Sequence, residues 1–221
     1  FDMTTPNNGA YSEYEEKNVD VDMLGFIAVP YDNGQYSVHT NYAKAWNLIG
    51  FDRQSLVDYQ NNKNKAPEFK DSGDMDFATI LFKTEGIGNG ISDYLDNTIA
   101  FASFAASRTN PNANGNPMTS GMLGSQDSET GTSVWLGVNA PCPLTPDDAK
   151  IGFEWNKGSK YWRSMTYAED TYAGSKIATR GQAWEVYRTQ KLTEALSFGV
   201  SYVLMQYDYT GSNSFFGADG T

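Results

Sequence analysis

The chain has 221 residues, with 27 Asp and Glu against 16 Lys and Arg for a formal net charge of −11; this excludes the basic patches that nucleic acid rewards. Mean hydropathy is −0.53, and no apolar run reaches the roughly 18 residues that a membrane-spanning helix needs, whereas spanning strands need only alternate residues apolar. Aromatic residues make up 14%, with 14 Tyr, 5 Trp and 21 Gly, a mixture suited to an all-β protein and especially to a barrel with aromatic girdles.

Residues 1–20 are polar without a clear period and read as a leading loop of a single domain over 1–221. A first strand is predicted over 22–30, with Leu24, Phe26 and Ala28 alternating against Met23, Gly25, Ile27 and Val29. Asn33-Gly34 follows, a strong hairpin signal because a type I′ turn needs positive φ at both central residues. The stretch 36–50 is the clearest in the chain. Tyr36, Val38, Thr40, Tyr42, Lys44, Trp46 and Leu48 form one set; Ser37, His39, Asn41, Ala43, Ala45, Asn47 and Ile49 form the other. Period two sends successive side chains to opposite faces, and this run exceeds the roughly 9–11 residues of a transmembrane strand. Lys44 falls on the large-residue face, where a bilayer midplane position costs roughly 2–4 kcal/mol and an interfacial one about 0–1. Two residues from Trp46, it either snorkels near an interface or marks a bulge that flips the faces.

A polar connection over 51–73 leads to a strand at 74–83, where Phe77, Thr79 and Leu81 oppose Asp76, Ala78, Ile80 and Phe82. The glycine-rich link EGIGNGISD lacks the spacing of a phosphate loop. Further strands are predicted at 95–107, 132–140, 149–156, 177–189 and 195–209. Alternation sets Leu95, Asn97, Ile99 and Phe101 against Thr98, Ala100, Ala102 and Phe104. It sets Val134, Leu136 and Val138 against Trp135, Gly137 and Asn139, and Ile151, Phe153 and Trp155 against Gly152, Glu154 and Asn156. In the last strand Leu196, Phe198, Val200, Tyr202 and Leu204 oppose Ser197, Gly199 and Ser201. No stretch sustains a 3.6-residue period, so the class is all-β.

Connections are short after strands one, three, five and seven and long after two, four and six. One end with short turns and the other with long loops is the habit of an up-and-down transmembrane barrel, or a segment of one. A soluble sandwich has no reason for it. Trp46, Trp135, Trp155 and Trp184 fall near strand ends and are expected in an aromatic girdle. The small and polar set is expected to line a lumen: His39, Asn41, Asn47, Asn139, Glu154, Asn156, Ser197 and Ser201, with Asp76 near a strand end.

Catalytic chemistry finds no support. His39 is the only histidine and has no neighbours with which to hold a metal. Asp71, Asp74 and Asp76 lack the order of a calcium-binding EF-hand loop. The Ser of SMTYAED has neither a nucleophile elbow nor a placed histidine. Cys142 is alone in PCPLTPDD and reads as a small turn residue, so no disulfide or thiolate cluster forms. No cofactor, no metal and no enzymatic activity are expected.

Three runs are long and idiosyncratic: VPYDNGQYSVHTNYAKAWNLIGF from Val29, PCPLTPDDAKIGFEWNKGSKYWRSMTYAED from Pro141, and YTGSNSFFGADGT from Tyr209. In them the chain resembles an uncharacterised porin-like outer-membrane family of Gram-negative bacteria, a domain of unknown function. The resemblance implies an outer-membrane β-barrel with no catalytic residues. Members carry further strands on both sides, and this chain, which opens at Phe1 and ends in a turn at Thr221, is expected to be a processed chain or a segment. The expected function is a porin-like channel for passive diffusion of small solutes, with a preference for cations. Its partners on that reading are outer-membrane lipid and small solutes, and a homo-oligomer is admitted. The alternative is a non-enzymatic surface-exposed β-domain that binds a partner through KYWRSMTYAEDTY and its aromatic groups.

Overall fold

In a computed structural model, residues 21–51, 53–62, 69–116, 120–145, 149–164 and 175–209 are described. Eight strands form one antiparallel sheet in simple up-and-down order. They are β1 (Asp22–Asp32), β2 (Tyr36–Trp46), β5 (Gly73–Glu85), β6 (Ile99–Pro111), β7 (Thr130–Pro141), β8 (Ala149–Gly158), β9 (Gly181–Lys191) and β10 (Ser197–Tyr207). All eight expected strands are present. A small second ladder joins β3 (Ile49–Phe51) to β4 (Phe69–Asp71) within the β2–β5 connection. Among the described residues β1 and β10 each pair on one side only, so the sheet is open.

Local chemistry explains the departures from the expected boundaries. β2 stops at Trp46 because Asn47 turns to a positive φ of 56°, its N–H donating to Asp74 Oδ1 at 3.2 Å. The connection after it holds α1 (Arg53–Asn61), two and a half turns, too short to display a period and braced by Gln54 donating to Asp58 at 2.9 Å. The strand expected from residue 95 begins at Ile99 instead. Ser92 caps a single helical turn, α2 (Asp93–Asp96), by accepting the Leu95 N–H. The β1–β2 hairpin is not type I′: Gly34 has φ 85° while Asn33 is not in the left-handed region. Asn33 Oδ1 instead accepts the N–H groups of Gln35 and Tyr36 at 3.0 and 2.7 Å, which closes a longer loop between the paired Asp32 and Ser37.

Pairing register sorts the side chains into two faces. Leu81, Ser103, Trp135, Asn156, Ala183 and Met205 share one row and one face. Ile80, Phe104, Val134 and Lys157 occupy the next row on the opposite face. His39, Asn41, Thr79, Ser103, Trp135 and Asn156 border one hollow of about 940 Å³, so the sheet curves around their face, called here the inner one. On β5 the expected assignment inverts. Phe77, Thr79 and Leu81 point inward, and Asp76, Ala78, Ile80 and Phe82 outward. Both alternating sets of that strand are apolar, so its own period is mute. The pairing of Tyr42 with Ala78 and of Thr40 with Ile80 decides the face.

The outer face carries an apolar belt, interrupted on β9 by Arg188, which faces outward between Val200 and Ile151. Leu24 and Phe26 on β1, Ile80 and Phe82 on β5, Phe104 on β6, Leu136 and Val138 on β7, Ile151 and Phe153 on β8, Trp184 and Val186 on β9, and Val200, Tyr202 and Leu204 on β10 all belong to it, and nearly all are substantially exposed. The belt climbs across the sheet. The row through Phe26 crosses β2 at Tyr42, whereas the row through Tyr202 passes Val186, Phe153, Val138, Ala100 and Thr84 to reach β2 at Tyr36. Six residues of climb at ~3.3 Å each, across seven strand spacings of ~4.8 Å, correspond to a strand tilt of roughly 30° relative to the belt.

A cluster of buried apolar residues sits at the end where the long connections gather: Val21, Ala45, Leu48, Met75, Phe77 and Met122. That end also bounds the belt. Lys44, Asp76 and Arg108 form one outward row there, with Tyr42 donating to Asp76 at 2.5 Å and the Lys44 ammonium 5.6 Å from the Trp46 ring. Lys44 therefore lies at the margin of the belt and not within it.

Candidate functional site

The inner face is where chemistry concentrates, and its centre is a charge cluster set by register. Glu154 on β8 pairs directly with Glu185 on β9, and like charges facing each other across a ladder destabilise it. Lys176, from the connection between those strands, lies against both: its Nζ is 2.6 Å from Glu154 Oε2 and also bonds Glu185. Both carboxylates are mostly buried, at 12% and 16% side-chain exposure. The same Glu154 oxygen accepts the Trp135 indole N–H at 2.8 Å, and Lys176 stands 5.6 Å from the Trp135 ring. Burial opposes the charge on Lys176, but hydrogen bonds to the two carboxylates outweigh it and hold its pKa above the ordinary lysine value.

Two glycines make room for this arrangement. A Cβ on Gly137 would collide with the Phe101 ring and crowd Glu154, and one on Gly152 would enter the Tyr187 ring. Phe101 thereby meets Trp135 edge-on at 4.6 Å, and Tyr187 lies flat enough for its hydroxyl to accept from Asn139 at 3.2 Å.

The described parts of the β8–β9 connection, 159–164 and 175–180, fold onto the inner face. Ser159 and Thr132 exchange hydrogen bonds, the Arg163 N–H donates to Ser107 Oγ at 3.0 Å, and Trp162 donates to the Ile177 carbonyl at 2.7 Å. Gly131 is pressed against the backbone of Tyr161 and Trp162. Arg163 and Arg180 are both fully buried; burial, and then repulsion from Arg163, brings the Arg180 pKa down to about 10. Arg180 Nε donates to the Lys160 carbonyl at 2.5 Å.

Of the residues singled out in the sequence, His39, Asn41, Asn139, Glu154, Asn156, Ser197 and Ser201 lie on the inner face by register. His39 Nε2 is 3.0 Å from Ser37 Oγ. Asn156 is buried and donates to Ser133 Oγ at 2.9 Å. Asn47 does not join them, since it lies past the end of β2 in a turn. Asp76 is on the outer face, held by Tyr42. Among the tryptophans, Trp46, Trp155 and Trp184 face outward, the last two 5.9 Å apart with Trp155 donating to Gln182 at 3.3 Å. Trp135, expected with them, faces inward instead, its indole N–H donating to Glu154.

Sequence reasoning missed Lys176 and Glu185. Glu185 was legible in principle, because Trp184 and Val186 flank it and the alternation within Gly181–Lys191 sends it inward. Lys176 carried no signal, since it belongs to a connection whose folding onto the sheet is a tertiary fact. The inner face is also less uniformly acidic than expected, carrying Lys83 bonded to Glu85 and, toward the short turns, Lys150 and Lys191. Among the described residues no group of three or more His, Cys, Asp or Glu could hold a metal ion, and no helix is long and apolar enough to cross a membrane.

The family model described as "Protein of unknown function (DUF3373)" matches residues 1–221. No curated protein and no solved structure matches the chain.

Proposed function

We propose that this chain, which belongs to the DUF3373 family, is the wall of an outer-membrane β-barrel that lets small solutes diffuse through its lumen. The observation that carries the reading is the outer belt, which runs across the sheet from β1 to β10 and climbs at roughly 30°, near the ~35–45° strand tilt of membrane barrels. In water such a belt is an exposed apolar surface far larger than a monomer normally carries. In lipid it is the surface that contacts acyl chains. The polar margin formed by Lys44, Asp76 and Arg108, with Trp46 beside it, suits a headgroup boundary, where a lysine costs about 0–1 kcal/mol. The inner face, with its serines, asparagines and ion-paired carboxylates, suits water.

Within that lumen the Glu154–Lys176–Glu185 cluster ties the described end of the β8–β9 connection to the wall. Two carboxylates against one ammonium leave a local charge of −1, and this excess supports a modest preference for cations. The reading of a surface domain that binds through KYWRSMTYAEDTY is less well supported, because Trp162 is buried with its N–H spent on Ile177. The test is twofold. The native protein should stay with membranes through high-salt and carbonate washing, and purified protein should give stepwise conductance in planar bilayers. Release by carbonate would end the membrane reading; retention without conductance would end the channel.

A further inference from the structure

The hollow on the inner face measures about 940 Å³, at the upper end of the roughly 300–1,000 Å³ of ligand pockets. Register explains the space. The row through Asn41, Thr79, Ala105 and Ser133 crosses four adjacent strands, and no side chain in it is longer than that of asparagine. Phe77 and Trp135 stand in the inner rows to either side. Trp162, from the infolded β8–β9 connection, also borders the hollow.

The lining selects against charge. Among the described residues that border the hollow there is no Asp, Glu, Lys or Arg. A charged molecule would lose its hydration there without a partner, which costs far more than burying a neutral one. Phe77, Trp135 and Trp162 supply ring surface. The two indole N–H groups are already engaged, by Glu154 and by the Ile177 carbonyl, so the tryptophans offer their rings and not their donors. Such walls favour an aromatic body, stacked with an offset or met edge-on. An apolar cavity of about 150 Å³ takes a benzene, so this one has room for two fused rings.

One polar group is left over. Asn156 borders the hollow and is 1% exposed. Its Nδ2 donates to Ser133 Oγ at 2.9 Å and to the Val134 carbonyl at 3.2 Å. That carbonyl can only accept, which fixes the nitrogen end of the amide. The other end, Oδ1, is buried without a hydrogen-bond partner, an uncommon and costly state that calls for a donor. Ser133, also in the lining, accepts from Asn156 and as a hydroxyl keeps its own proton to give. A free acceptor beside a free donor is complementary to a hydroxyl group, which is both.

We propose that the hollow binds a small uncharged aromatic alcohol, its rings against Phe77, Trp135 and Trp162 and its hydroxyl on Asn156 and Ser133. This rests on the reading above, in which the inner face is open to solutes entering the lumen, and it names a class of solute. The recognising groups come from β5, β7, β8 and the β8–β9 connection, away from either edge of the sheet.

A ligand series on the purified full chain tests this. β-Naphthol, its methyl ether and β-naphthalenesulfonate would be titrated calorimetrically at neutral pH, with empty detergent micelles as the reference. β-Naphthol should bind saturably, one per chain. The methyl ether keeps the rings but loses the hydroxyl proton, and should bind roughly five- to tenfold more weakly, the worth of one hydrogen bond. The sulfonate should not bind. Ala105→Trp, which fills the hollow, should abolish β-naphthol binding in protein that still shows heat-modifiable migration; the ligand series in the native chain decides the matter if that variant does not fold. Equal affinity for the alcohol and its ether, binding of the sulfonate, or binding unchanged in folded Ala105→Trp would each overturn the proposal. So would protein that conducts in planar bilayers yet binds no β-naphthol, an outcome that leaves the channel standing. Release of the native protein by carbonate would instead strike the membrane reading itself.

Discussion

Lys176 is the residue on which the inner face turns. Glu154 and Glu185 are directly opposed across the β8–β9 ladder, and Lys176 is the cation that bonds both. Lys176→Met leaves the two carboxylates facing each other, and we expect a loss on the order of 1–3 kcal/mol in denaturant unfolding from detergent. Adding Glu185→Gln should restore part of it; an unchanged midpoint in the single variant would show that the cluster contributes no stability. The pH dependence has a definite sign. Because the folded pKa of Lys176 is raised above 10.5, its contribution is complete below that value and is lost as pH rises through the raised pKa. Fluorescence of Trp135, which shares Glu154 with Lys176, should therefore hold steady from neutrality and change only on the alkaline side of 10.5. Gly137 is constrained by shape alone. Gly137→Ala drives a methyl into Phe101, and overpacking of this kind typically costs 1–3 kcal/mol, to be read in the same unfolding assay.

At the scale of elements, alternation decides orientation, and a one-residue slip would exchange the faces of a whole strand. β10 shows the consequence most directly, since Val200 belongs to the outer belt and its neighbour Ser201 to the inner face. Arginine at a lipid midplane costs roughly 2–4 kcal/mol, whereas lumen positions tolerate charge. Tyr202→Arg, at the next outward position and paired with Val186 and not with Arg188, should therefore abolish assembly, scored as heat-modifiable protein in membranes, while Ser201→Arg assembles. Equal tolerance at the two sites would count against a lipid-facing belt. β2 and β8 were legible in this way because their large apolar residues occupy one alternate set only, and β7 and β10 because most of theirs do, with Trp135, Val203 and Met205 as exceptions. β5 was not, since Phe77 and Leu81 compete with Ile80 and Phe82, and its face is imposed by the pairing with β2. The turn at Asn33-Gly34 was legible as a turn but not in its type, because Asn33 side-chain hydrogen bonds replaced the left-handed backbone that the dipeptide suggests. Neither α1 nor the inward fold of 159–164 had a periodic signature. Connections take their shape from what they pack against.

For the whole molecule the open question is what the passage selects, and here local charge matters more than total charge. The net −11 of the chain includes exposed groups screened within about 8 Å at physiological salt. The Glu154–Lys176–Glu185 cluster is mostly shielded from solvent and lies on the inner face beside the infolded β8–β9 connection. Lys83 is bonded to Glu85, so those two nearly cancel, and Lys150 and Lys191 lie toward the short turns. The cluster, at −1, is the inner-face charge whose sign one substitution can reverse, while the infolded connection also brings the buried Arg163 and Arg180 to that face. Glu154→Lys changes that charge from −1 to +1, and it also removes the acceptor of the Trp135 indole N–H. Reversal potentials under a KCl gradient should show modest cation preference in the native channel and anion preference in the variant. Glu154→Gln, which brings the cluster to neutrality, should lie between them. The difference should widen at 0.01 M salt, where the screening length reaches about 30 Å, and shrink toward 1 M, where it is about 3 Å. A preference indifferent to salt, or native and Glu154→Lys channels with the same reversal potential, would assign selectivity to groups other than this cluster.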